Sequence, residues 1–392
     1  MNRRDFLQGL AAAGAATSLP LPSLIAGEDA PRVRRAYTGP NVVIVRFGGG
    51  VRRRETIASD ETFSPFLKKV LAPQGVLYPQ MEISSDPGIK TSHGEGTLYI
   101  LTGKYEEYKD ITGRPFSERF EAKVPTLFEA LRKEYDLPEH QALIVNGEDR
   151  INEEFYSFSN HHLFGVHYRS TVLSLYRFKL YLLRTAIADG KYRGAELIAK
   201  RNELAKLENL DYRARDASAT SPELDRFWRS WSDYYGRSGF VNPRGDRLLA
   251  ELAVEAMRRL EPRLMMVNFN DPDYVHWGNK SHYTRGVTIV DECLRRLFDA
   301  SNSLPAYRDR TVFVVVPDCG RDDNPFVAVP YQHHFNTPSA HKIFCLAVGP
   351  GIDRGRVVEK KVEQISVAAT VAKIMNFPMP YTDGSPLSEV FA

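Results

Sequence analysis

The sequence predicts an α/β fold: a central, mainly parallel sheet flanked by helices, with a helical cap inserted into it. Several apolar runs are nearly continuous, as strands buried on both faces require. Segments with helical period separate them. From about residue 173 to about 240 the pattern changes to long polar helices, and this stretch reads as the cap. In chain order, Asn41-Val42-Val43-Ile44-Val45-Arg46-Phe47 is a central strand that opens into a loop at Gly48-Gly49-Gly50. A helix is expected at Thr97 to Thr102. Helical periodicity over Thr126 to Arg132 leads to a short strand at Ala142 to Val145. Within the cap, Ala195 to Leu207 has helical composition. Three later apolar runs, Leu264 to Phe269, Thr311 to Val316 and Ile343 to Val348, are further strands, with a helix at Arg285 to Ala300 between the first two.

Composition limits the functional classes. With 392 residues, 43% of them hydrophobic and 26% charged, the chain can bury a large core. A net charge of +3 over that length gives no reason to expect a nucleic-acid partner. Cys293, Cys319 and Cys345 cannot all pair, and their spacing matches neither a disulfide framework nor a zinc finger, so packing must hold the fold. Residues 1–26 read as an address. Arg3-Arg4-Asp5-Phe6-Leu7 precedes the apolar, small-residue stretch Gly9 to Thr17, and Ser23-Leu24-Ile25-Ala26 offers a cleavage site. This resembles a twin-arginine signal, read by the Tat export machinery. Gln8, the glycines, Pro20 and Pro22 leave no run near the roughly 20 apolar residues of a membrane span. The expected mature protein, an α/β domain over 36–392, is soluble and periplasmic.

Chemistry-bearing residues follow the predicted strands, where ligands sit in open α/β sheets. Asp273 and His276 follow one strand, Asp318 and Cys319 the next, and His333-His334 precede the strand around Phe344. Carboxylate, imidazole and thiolate on adjacent strand ends suit a divalent metal such as zinc.

In this order the motifs resemble the alkaline phosphatase and sulfatase superfamily. Asn41 to Phe47 is similar to its first strand, and Thr91 to Gly103, ending Ile100-Leu101-Thr102-Gly103, to its nucleophile segment. Asp273 with His276 resembles the pair of one metal site, and Asp318-Cys319-Gly320 the Asp-His-Gly of the other. Ala347 to Ile352, Ile365 to Val371 and Asp383 to Leu387 are similar to the closing strand, helix and tail. Two positions depart from the pattern: Gly48 stands where a metal-binding Asp is usual, and Cys319 where His is usual. The resemblance therefore implies one divalent metal site, through Asp273, His276 and His333 or His334, rather than two. Asp273 and His276 stand one residue closer than usual, which leaves Asp271 as an alternative partner.

The activity implied is hydrolysis of a small-molecule phosphate or sulfate ester, with a hydroxyl of Thr91 or Ser92 as nucleophile and Thr97 as a further candidate. Positive charge for the oxyanion would come from Arg46, Lys90 or His93, with Arg52 in a basic run as the weaker candidate. The competing expectation is a member that has lost catalysis and binds an anionic ligand or partner protein, as Gly48 and Cys319 would favour.

Overall fold

A computed structural model of the chain describes residues 35–58, 60–105, 109–110, 120–146, 163–210, 221–236, 245–276, 279–323, 326, 331–333 and 336–391. The signal segment 1–26 and His334 lie outside them. Strand β1 (Asn41–Phe47) is buried along its whole length, which is why its sequence is continuously apolar instead of alternating. It pairs in parallel with β5 (Leu264–Phe269) on one side and β6 (Thr311–Val316) on the other. The other strands of this sheet are β2 (Gly75–Glu82), β3 (Ala142–Asn146), β4 (Thr171–Ser174), β7 (Lys342–Val348) and the two-residue β8 (Arg356–Val357) and β9 (Val362–Glu363). The sheet runs β8-β2-β7-β6-β1-β5-β3-β4, with β9 also on β2. Only β7 runs antiparallel, to both β2 and β6. The result is a mixed, mostly parallel sheet.

Alternate side chains of the strands feed two cores, as a period of two requires. Val43, Val45 and Phe47 face the first, with Leu249 and Met257 of α6 (Asp246–Leu260) and Val287 and Leu294 of α7 (Lys280–Ser303). Val42 and Ile44 face the second, with residues of α1 (His93–Thr102), α2 (Leu127–Tyr135) and α8 (Ser366–Met375). Helix α2 starts where Thr126 and Glu129 form a reciprocal capping box. The segment read as a cap contains α3 (Leu175–Ala188), α4 (Gly194–Leu210) and α5 (Pro222–Tyr235). Phe178 of α3 and Phe227, Trp228 and Trp231 of α5 join the first core, whereas α4 is largely exposed.

The parallel alignment of β5, β1 and β6 brings three chain segments together at their carboxyl ends: Gly48 to Gly50, Asn270 to Asp273, and Asp318 with Cys319. Among the described residues, no helix is long and apolar enough to cross a membrane, and the three cysteines are buried and unpaired with one another.

Candidate metal centre and active site

After β5 the chain enters a tight turn, Asp271–Tyr274. Asp246, at the start of α6, accepts the amides of Asn270 (2.9 and 3.0 Å) and Asp271 (2.7 Å), and Asp271 Oδ1 accepts the Asp246 amide at 3.1 Å. This reciprocal clamp commits Asp271 to α6 and leaves Asp273 for the centre. Gly286 of α7 lets the turn approach, since a Cβ there would lie 2.9 Å from the Pro272 nitrogen.

Three imidazoles converge on Asp273. Its Oδ1 lies 2.8 Å from His276 Nε2, 3.2 Å from His333 Nε2 and 2.6 Å from His93 Nε2. On the far side of two of these rings, His276 Nδ1 bonds Gln332 Oε1 at 3.0 Å and His333 Nδ1 bonds the Thr91 carbonyl at 3.3 Å. An acceptor at Nδ1 turns Nε2 toward the centre, the usual arrangement behind a metal-ligating histidine. Burial opposes the Asp273 carboxylate, but the His93 charge and hydrogen bonds from all three imidazoles hold its pKa well below the ordinary range.

The donor set fits a divalent cation. Asp273, His276 and His333 place one ligand atom each within 4.8 Å of one another. Four ligands at zinc distances in a tetrahedron stand about 3.3 Å apart, close to the spacings observed. A second group, His93, Cys319 and His333, meets the same 4.8 Å limit. It is chemically poorer, because burial pushes the Cys319 thiol well above its usual range and a thiolate is the ligating form.

Asp318 is held as an anion beside this centre. It accepts the amides of Cys319 (2.8 Å), Gly50 (3.2 Å) and Gly49 (3.4 Å), meets His93 Nδ1 at 2.5 Å and lies 3.5 Å from Arg46 Nη1. Burial raises its pKa, but His93 and then Arg46 outweigh burial and hold it below the usual carboxylate range. His93 thus bridges two carboxylates. Burial disfavours its charged ring, yet Asp273 and Asp318 push its pKa up to about 10.

Arg46 lies beneath the centre. The residue is 1% exposed, and its guanidinium donates to Thr97 Oγ1 at 2.7 Å and to Asn270 Oδ1. A Cβ at Gly48 would lie 2.1 Å from the Phe269 carbonyl and 3.1 Å from Arg46 Nε, so the space that a carboxylate would need at 48 is taken.

The three candidate hydroxyls differ. Thr91 donates to the His333 carbonyl at 2.7 Å and meets Asn336 Oδ1 at 3.0 Å. Thr97 accepts from Arg46. Ser92, the half-buried N-cap of α1, makes no side-chain capping bond. Lys90 is exposed, 4.0 Å from Glu95, and Arg52 is turned away into a bidentate pair with Glu55 at 2.8 and 2.9 Å. Gln332, Asn270, Asn336 and Arg321 were not legible as site residues. Gln332 is next to His333 in sequence, but only the fold brings it to His276.

With this geometry, the fold is that of the alkaline phosphatase superfamily, as comparison with solved structures shows. One is an alkaline phosphatase superfamily protein from Vibrio parahaemolyticus, with TM-score 0.54 and 15% identity over 92% of this chain and 72% of that one. Another is the alkaline phosphatase PafA, with TM-score 0.57 and 11% identity over 91% of this chain and 100% of that one. A third is the phosphonate monoester hydrolase of Agrobacterium radiobacter, with TM-score 0.52 and 13% identity over 90% of this chain and 77% of that one. No curated protein matches the chain by sequence. Residues 1–20 match the family model for the twin-arginine translocation pathway signal sequence, and the chain carries a signal for Tat export.

Proposed function

We propose that the protein is a periplasmic, metal-dependent hydrolase of phosphate or sulfate esters that holds one divalent metal on Asp273, His276 and His333. The observation that carries this reading is the convergence of two Nε2 atoms on Asp273 Oδ1, each ring held from behind at Nδ1. The likeness to a phosphatase and a phosphonate hydrolase supports the reaction class. When bound, the metal supplies Lewis acidity toward the ester oxygens. Ser92 is the nucleophile in this reading, because Thr91 and Thr97 are committed to His333 and Arg46. Its hydroxyl attacks phosphorus or sulfur, expels the alcohol, and water then releases the covalent intermediate. Ser92 stands at the amino end of α1, where first-turn amides without a helical partner and the helix dipole favour an anionic group. His93 and Arg46 supply fixed positive charge beside Asp318 Oδ2, and the Thr91 carbonyl holds the His333 ring.

Turnover of aryl phosphate and aryl sulfate esters tests this. Ser92→Ala should lower kcat roughly 10³-fold or more with the Tm nearly unchanged. Thr91→Ala should retain turnover and near-wild-type metal affinity, because it removes only the hydroxyl bond to the His333 backbone carbonyl and keeps the Thr91 carbonyl behind the His333 ring. Equal, small effects of both would remove the nucleophile assignment.

Gly48 and Arg46 support a second reading, in which the centre binds an anionic ligand without turning it over. A metal-loaded wild-type protein that hydrolyses no phosphate or sulfate ester in a broad panel would favour it.

A further inference from the structure

Arg321 is fully buried. Its five N–H groups all go to backbone carbonyls: Nε to Gly50 at 2.8 Å, Nη1 to Val275 at 2.9 Å and to Tyr331, Nη2 to Pro272 at 2.9 Å and to Gly49. Tyr283 adds a ring face 5.1 Å from the guanidinium carbon. A guanidinium has five donors in one plane, so this group is saturated by carbonyls alone.

The carbonyls come from three loops, each next to a site residue. The Pro272 carbonyl belongs to the peptide joining Asp273, the Val275 carbonyl to the peptide joining His276, and the Tyr331 carbonyl to the peptide joining Gln332, which orients His276. The Gly49 carbonyl shares its peptide with the Gly50 amide, which donates to Asp318. The Gly50 carbonyl shares its peptide with the Val51 amide, which donates to the Cys319 carbonyl at 3.2 Å. Gly49 and Gly50 adopt positive φ, +86° and +69°, which lets both carbonyls turn toward Arg321 while the amides face the other way.

We propose that Arg321 is the positioning residue of the metal centre: one guanidinium holds the loops after β1 and β5 and the loop before His333 in the register that brings Asp273, His276 and His333 together. The proposal rests on the metal-centre reading above. Arginine is required because a lysine ammonium has three donors on a flexible stem and cannot span five carbonyls in a plane.

Cobalt(II) serves as probe, since its visible absorption reports ligand geometry. Arg321→Lys should bind cobalt about 10- to 100-fold more weakly than wild type, with an altered absorption band, at a temperature where circular dichroism finds both folded. Arg132→Lys is the matched control. Arg132 is also buried and donates to the Leu137 and Arg169 carbonyls, neither beside a candidate ligand. It should lose stability but keep the wild-type affinity and band. Equal affinity and an identical band in Arg321→Lys, or equal weakening in Arg132→Lys, would overturn the role of Arg321 while leaving the metal centre standing. A wild-type protein that binds no cobalt would overturn the centre and this role together. A further measurement needs no variant: the Asp273 and Val275 amides, bonded within the loop that Arg321 holds, should exchange slowly in metal-free wild type, and fast exchange there would overturn the role of Arg321.

Discussion

At position 48, the structure leaves no room for the side chain of a further metal ligand. A carboxylate there would have to displace the Phe269 carbonyl, 2.1 Å from where its Cβ would lie, and the Arg46 guanidinium beyond it. Positive charge beside Asp318 is therefore built into the chain as Arg46 and His93. Gly48→Asp should not create a second metal site. It should instead destabilise the protein by about 3 kcal/mol, the upper range for overpacking a filled interior. Denaturant unfolding and metal content of that variant check both halves, and a stable variant with an additional tightly held metal would contradict them. Most of these residues could be singled out from sequence because they lie beside apolar runs: Asp273, His276, Asp318 and Cys319 follow one, and His333 precedes one. What sequence left open was the direction in which a side chain points. Asp271 and Asp273 are two residues apart with the same chemistry, and only the clamp with Asp246 separates them. Arg46 was expected to meet substrate, but it stands on a buried strand and points beneath the centre. Arg321 is one of many arginines until its five acceptors are brought together by three distant loops.

Among the elements, the strands that flank the centre were read at their observed bounds, because burial on both faces leaves an apolar signature that ends where the loop begins. Sequence does not mark β2, which lies between β7 and the short strands β8 and β9, nor the edge strand β4. β2 carries Pro79, Gln80 and Glu82 and has a register shift against β7 between Tyr78 and Met81, and β4 has only four residues. Helices extend beyond their periodic apolar stretch: α7 spans Lys280–Ser303, where the sequence predicts Arg285 to Ala300. Its first turn is polar and is set by the Asn279 cap. One contact of α7 makes an element-scale prediction. Asp291 accepts the amides of Phe66 and Leu67, both at 2.8 Å, and so caps the short helical turn Phe66–Leu71. Burial nonetheless outweighs these bonds and pushes its carboxyl up to about 6. Unfolded chain ionises near 3.9, so the folded state holds the proton more tightly. This contribution to stability is complete below about pH 4, declines as pH rises through 6, and is absent above. Relative to Asp291→Asn, wild type should lose on the order of 2–3 kcal/mol between pH 4 and 7. Unfolding of both proteins across that range checks it, and parallel pH profiles would contradict it.

For the whole molecule, the sheet order places β5, β1 and β6 side by side in the interior, so their three loops meet at one edge while the two cores lie on opposite faces. Packing and candidate site are thereby separated: Val42 to Val45 pack in the two cores, and the loops after β1, β5 and β6 hold most of the candidate site residues. On the proposed reading, the exported protein carries one divalent metal on Asp273, His276 and His333. Elemental analysis of protein recovered after export, before and after exhaustive dialysis, tests it most directly. About one metal per chain is expected in wild type, as three protein ligands and an open position allow, and far less than one in His276→Ala with its secondary structure intact. Two tightly held metals per chain, none in wild type, or an undiminished content in His276→Ala would contradict the account.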